Sequence, residues 1–131
     1  MARRIEVPIS VGELVDKLTI LSIKSEKISD TSKLANIRRE FDALDSVLKP
    51  LLTATPALAS LQAELRTINE ALWRIEDDIR DCERNRDFGP SFIELARSVY
   101  QTNDRRAATK RKIDELMGSD IVEEKSYASY D

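Results

Sequence analysis

Glycine and proline are so scarce in this chain, and so placed, that long helices are the natural filling for the intervals between them. Pro8 and Gly12 stand near the front, Pro50 and Pro56 form one break, Gly89 and Pro90 a second, and Gly118 a third. Both residue types are disfavoured inside helices, so the spans between them are free to be helical. In one such span Leu58, Leu61, Leu65, Ile68, Leu72, Ile75, Ile79 and Cys82 recur at alternating three- and four-residue spacing, which places them on one face of a helix. A helix from 56 to about 86 would be ~45 Å long.

The other boundaries follow from local chemistry. Ser10-Val11-Gly12-Glu13 reads as a capping box opening a first helix with Val11, Leu14, Leu18, Leu21 and Ile28 as its apolar stripe. The polar run Ser29-Asp30-Thr31-Ser32 ends it and caps a second, striped by Leu34, Ile37, Phe41, Leu44, Leu48 and Leu51 or Leu52. Thr55-Pro56 reads as an N-cap and first-turn proline for the third helix. Gly89-Pro90 restarts the chain into a fourth helix, closed by Gly118. None of these helices is stable alone in water, so each stripe must be covered. The prediction is an all-α, antiparallel bundle of about four helices forming one domain over 1–131, with helices three and four as a long hairpin. Ile5, Val7 and Ile9 alternate in an extended arm over 1–9, and Ile121-Val122 lie in a C-terminal tail over 119–131; both are expected as short extended segments that pair with each other.

Charge and residue usage exclude several classes of function. The chain is 34% charged, but 24 acidic residues nearly cancel 21 basic ones, leaving a net charge of −3. That balance exerts no global pull on nucleic acid or an anionic membrane. No stretch reaches the ~18 apolar residues that cross a bilayer, and Glu6 and Pro8 interrupt any leader-like run after Arg3 and Arg4. A single cysteine, Cys82, forms no internal disulfide and sits on an apolar stripe; the cytoplasm is the expected compartment. Histidine is absent, which removes Glu-x-x-His metal bundles, histidine zinc sites and Ser/His/Asp hydrolases in their usual forms.

The fourth helix carries the most informative local feature. Its stripe runs Phe92, Ala96, Val99, Asn103, Arg106, Lys110, Ile113 and Met117, with three consecutive polar positions in the middle. A buried amide or charge is costly without partners. In a hairpin turning near residue 87, facing positions sum to roughly 174. Leu72 then lies opposite Asn103 and Asn69 near Arg106, with Glu76 on the same flank. This predicts a polar layer of Asn69, Glu76, Asn103 and Arg106, extended by Asp104, Arg105 and Lys110. Three readings stand side by side: a network that fixes register, a protruding helix whose polar residues are solvated, or a pocket for a polar or anionic ligand with Arg106 and Lys110 as donors and Asn103 as orienter.

Charge is also segregated. Glu76, Asp77, Asp78, Asp81 and Glu83 make one stretch acidic, and Arg105, Arg106, Lys110, Arg111 and Lys112 make another basic. An isologous homodimer would set one against the other. Ile20 and Ile23 lie off the first helix's stripe, so that helix is either sandwiched in the fold or part of an intersubunit contact.

Carboxylates three apart on a helix suit magnesium, as in all-α nucleotide pyrophosphohydrolases of the MazG type. Glu13 with Asp16, Asp42 with Asp45, and Asp78 with Asp81 are the candidate pairs, but the first and third project away from their stripes toward solvent, and the full acidic pattern of that family is missing. A magnesium-dependent phosphohydrolase acting on a nucleotide or nucleotide-sugar is therefore the alternative, and no cofactor is predicted otherwise. The leading expectation is a non-catalytic binding or accessory protein whose partner is a polar small ligand or another protein.

Several phrases carry a family resemblance: Gly12-Glu13-Leu14-Val15-Asp16-Lys17-Leu18-Thr19-Ile20-Leu21, Ile23-Lys24-Ser25-Glu26-Lys27-Ile28, Leu72-Trp73-Arg74-Ile75-Glu76-Asp77, Tyr100-Gln101-Thr102-Asn103-Asp104-Arg105-Arg106-Ala107 and Gly118-Ser119-Asp120-Ile121-Val122-Glu123-Glu124-Lys125-Ser126-Tyr127. Over nearly its full length the chain resembles small bacterial proteins of the DUF6165 type, a domain of unknown function. The resemblance implies a link to cell-surface polysaccharide or glycosyl-transfer systems and supplies no activity, cofactor or catalytic residue. It implies, too, that 103–106 carries a role and that the tail over 119–127 belongs to the domain.

Overall fold

Four helices, α1 (Val11–Lys27), α2 (Thr31–Ala54), α3 (Leu58–Arg84) and α4 (Pro90–Met117), make up the regular structure of the computed structural model, which describes residues 3–131. The all-α bundle expected from the spacing is the fold observed, with α3 and α4 as a long hairpin. α1 packs against all three other helices. Its buried residues lie on more than one side, Ile23 among them. Within this chain it is the sandwiched helix that Ile20 and Ile23 hinted at.

Most caps follow the local chemistry. Ser10 Oγ accepts from the Glu13 N–H at 3.1 Å, and Asp30 Oδ1 accepts from Lys33 N–H at 3.0 Å. Pro90 occupies the first turn of α4, and Gly118 ends that helix with φ of 65°, a left-handed cap that glycine adopts without a Cβ penalty. The capping box is only half used: the Glu13 side chain turns to Lys17 and Lys110 instead. Two boundaries differ from expectation. Pro50 lies inside α2, not at a break. It removes one hydrogen bond in an exposed turn, while Leu48, Leu51 and Leu52 hold the last turns against the core. Thr55 accordingly closes α2, donating its N–H to Leu51 O, and α3 begins at Leu58.

The core sits where α3 begins and α4 ends. Leu14, Val15 and Leu18 of α1 meet Leu48 of α2, Leu58 and Leu65 of α3 and Ile113 of α4, each fully buried side chain worth ~1.5–3 kcal/mol of transfer free energy. Beyond it the hairpin stands clear. No residue in 70–101 is fully buried, and Phe88 and Ile93 near the tip are 50% and 55% exposed. Cys82, expected inside the core, is half-buried for that reason.

The expected pairing of terminal strands does not occur: no strand is present among the described residues. Residues 3–9 are exposed, and the tail from 119 to 131 lies along α4, held by charged side chains. A saturated helical backbone offers such a segment no ladder to join, so side chains do the holding. No helix among the described residues is long and apolar enough to cross a membrane.

Candidate functional site

The site grows from one buried carboxylate. Because α1 is covered on several sides, Asp16 lies inside, only 1% exposed; the expectation that Glu13 and Asp16 face solvent fails for this reason. Buried charge demands partners, and three elements supply them. Asp16 Oδ1 accepts from Asn69 Nδ2 of α3 at 2.9 Å and from Arg106 Nε of α4 at 3.0 Å, while Oδ2 accepts from Arg106 Nη2. This is the two-pronged arginine–carboxylate geometry that fixes direction as well as distance. Asn69 Nδ2 also donates to Thr19 Oγ1 at 2.8 Å, and Thr19 returns its proton to the Asp16 carbonyl.

A second tie lies one turn along. Lys110 Nζ bridges Glu13 Oε2 and Glu123 Oε2, each at 2.8 Å, linking α1, α4 and the tail. A third closes the end, where Asp114 Oδ1 accepts from the buried Gly12 N–H at 2.7 Å and so places a negative charge at the start of α1. No buried side-chain nitrogen or oxygen among the described residues lacks a partner.

The hairpin register matches the spacing argument. Thr109 Oγ1 donates to Glu64 at 3.2 Å across the pair, and Asn69 and Arg106 meet on the same carboxylate. Not every residue of the expected layer joins it. Glu76 is exposed and pairs with Arg80 on its own helix; it lies on the hairpin arm, beyond the reach of α1. Arg105 is exposed and lines a separate groove of about 390 Å³ with Glu64 and Lys112. Asn103 is half-buried and faces an open cleft instead of the network.

That cleft, about 1010 Å³, lies between α4 and the tail. Asn103, Asp104, Arg106 and Lys110 line it from α4, with Glu123 and Lys125 opposite. All three tyrosines of the chain, Tyr100, Tyr127 and Tyr130, line it as well. Lys125 Nζ reaches Asp104 Oδ1 at 3.0 Å, Tyr130 donates to Asp104 Oδ2 at 2.8 Å, and Tyr100 meets Tyr130 edge to face with centroids 5.1 Å apart. Arg111 joins Glu124 at 2.9 Å outside.

The charges respond to this arrangement. The hydrogen bonds that Arg106 donates to the Asp16 carboxylate raise it above the ordinary arginine value. Burial pulls Lys110 down, but hydrogen bonds to Glu123 and Glu13 outweigh it and leave the ammonium raised. Lys110 in turn holds Glu123 below the ordinary glutamate value. Asp104 is lowered by Lys125 and then Tyr130, and the Tyr130 hydroxyl is raised by Asp104.

The arrangement gathers fixed donors, acceptors and aromatic rings around an open space. Of the residues singled out by sequence, the structure brings Asn69 and Arg106 together on Asp16 and places Asn103, Asp104, Arg106 and Lys110 along the cleft. Glu13 and Asp16 were expected as a solvent-facing carboxylate pair, and Thr19, Asp114, Glu123, Lys125 and Tyr130 were not singled out. The available signal was the second apolar face of α1, which turns Asp16 and Thr19 inward.

The model of a family of unknown function, DUF6165, matches residues 5–130, so the chain belongs to that family. No curated protein and no solved structure matches it.

Proposed function

We propose, with membership of the DUF6165 family as premise, that the protein is a cytoplasmic, non-catalytic binding protein whose polar, anionic ligand sits in the cleft between α4 and the tail. One observation carries the reading: Asn103, Arg106 and Lys110, the polar run of the α4 stripe, line the same cleft as every tyrosine in the chain. Aromatic faces beside cations and an amide suit a ring that bears a charged group, the chemistry of an acidic or phosphorylated sugar. An accessory role beside cell-surface polysaccharide or glycosyl-transfer systems fits such a ligand.

The magnesium reading loses support from the same contacts. It needs carboxylates free to face one ion, whereas Asp16 is committed to Arg106 and Asn69, and Glu13 to Lys110. A thermal-shift series separates the two. Sugar phosphates, uronates and nucleotide-sugars should raise the melting temperature without magnesium; a ligand at a hundredfold excess over its Kd adds about 2.7 kcal/mol. Stabilisation that requires magnesium and comes with phosphate release would replace this reading by the enzymatic one.

A second copy of the chain is the partner favoured by the hairpin arm. Leu72, Ile75, Ile79 and Phe92 remain only half-buried there, because two helices leave one side of their seam open. The acidic stretch from Glu76 to Glu83 and the exposed Arg105, Arg111 and Lys112 are opposite in sign, as a self-complementary contact requires. Light scattering should give twice the 14.9 kDa of one chain, and Ile79→Asp should return the mass to that of a monomer. A wild-type monomer at micromolar concentration would end the proposal.

A further inference from the structure

We propose that Lys110 and Arg106 form a binding site for an oxyanion, a carboxylate or phosphate group on the ligand, and that Glu123 of the chain's own tail fills this site until the ligand displaces it. The inference rests on the binding function proposed above and names the ligand's charged group and what competes with it.

The two cations stand one turn apart on α4 and are each held from behind. Glu13 anchors Lys110 from α1, and Asp16 takes the Nε and Nη2 of Arg106. The Nη1 of Arg106 has no acceptor among the described residues. Since no buried polar side-chain atom lacks a partner, it is open to the cleft that Arg106 lines. Asn103, one turn before Arg106 on the same face, lines the cleft with no hydrogen bond from its amide among the described residues. A pre-oriented ammonium, a free guanidinium edge and a free amide thus converge on one opening. Cations fixed by a neighbouring shell bind an oxyanion with little ordering cost.

The oxyanion position is already taken by an intrachain carboxylate. Glu123 Oε2 lies 2.8 Å from Lys110 Nζ, and Glu123 is 63% exposed. It is held less firmly than Glu13: its backbone carbonyl accepts from Arg111 Nη2 at 3.5 Å, residues 120–131 have no regular structure, and all of them are exposed. The tail is held by three ion pairs and by the Tyr130 bond to Asp104. Each pair has at least one exposed partner. In the Lys110 pair it is Glu123, so the carboxylate can leave for water and a ligand carrying its own oxyanion can take its place on Lys110. Displacement frees the cleft for the rest of the ligand.

The test is an NMR titration of the full chain with inorganic phosphate, glucuronate and uncharged glucose. Phosphate and glucuronate should shift Lys110, Arg106 and Asn103 and, together with them, move the amides of 122–124 around the released Glu123, while those near Tyr127 and Tyr130 stay at the cleft. Glu123→Gln removes the competitor from an exposed tail position and should tighten both anions roughly three- to tenfold. Lys110→Met should abolish the effect; because Lys110 also holds Glu13, its fold is checked by circular dichroism. An unchanged or weaker Kd in Glu123→Gln, or amides of 122–124 that stay put when an anion binds, overturns the proposal. Anions that bind in the cleft while Glu123 stays on Lys110 overturn it and leave the binding function intact, whereas glucose binding as tightly as glucuronate removes the anionic ligand of both. No binding by any probe removes both.

Discussion

An Arg106→Leu protein is expected to lose about 3–4 kcal/mol of stability at pH 7, and more than an Asp16→Leu protein does. Breaking a buried pair is expensive chiefly for the charge left behind. The two ends of this pair differ. Asp16 is 1% exposed and cannot reach water, whereas the Arg106 side chain is 29% exposed and lines the cleft. Without the arginine, the carboxylate is stranded with Asn69 alone. A buried charge left without its partner costs about 3–4 kcal/mol. Without the carboxylate, the guanidinium turns outward and the loss is about 1–3 kcal/mol from Asn69 and Thr19.

Urea unfolding of both variants and of the double variant measures this. The double variant should cost much less than the two single losses added together, since both charges leave at once. An Arg106→Leu deficit below about 1 kcal/mol would show that Asp16 is not the hub of this fold.

What the sequence made legible was periodic, and what stayed hidden depended on neighbours. The stripe from Leu58 to Cys82 and the glycine and proline breaks specify both long helices, and equal rise on either side of the turn puts Asn69 beside Arg106. The same arithmetic could not see the third party. A helix projection ranks residues against their own stripe, so it turns Asp16 outward from α1; only the packing of α1 against three helices makes that side an interior one. Thr102 and Thr109 were passed over similarly, because a short hydroxyl side chain fits either surface. Cys82 shows the converse error, since a stripe tells which side of a helix is apolar and not whether anything covers it. The tail has no period at all, so Glu123 and Tyr130 gave no sign of returning to α4.

Gly12→Ala is expected to cost about 2–5 kcal/mol, the other large effect in this molecule, although alanine is the better helix former by about 1 kcal/mol. A Cβ built on Gly12 would lie 2.5 Å from the backbone carbonyl oxygen of Lys110 and 2.8 Å from Asp114 Oδ1. The nearer atom belongs to the α4 backbone, within a helix pinned by Ile113 on one side and Lys110 on the other, so it cannot move aside alone. α1 must back away, which loosens a packed core at about 1–3 kcal/mol. Retreat also stretches the 2.7 Å bond from the Gly12 N–H to Asp114, and a buried donor and carboxylate left unpaired add about 1–3 kcal/mol. Gly118→Ala is the control. Nothing lies within 4 Å of its added Cβ, but φ is 65°, so only the left-handed backbone is penalised, at about 1 kcal/mol. Denaturation midpoints should fall in the order wild type, Gly118→Ala, Gly12→Ala, and Gly12→Ala should also speed exchange of the Asn69 and Arg106 side-chain protons as the Asp16 network opens. A Gly12→Ala protein as stable as wild type would mean that α1 and α4 do not approach this closely, and the buried network built on that approach would fall with it.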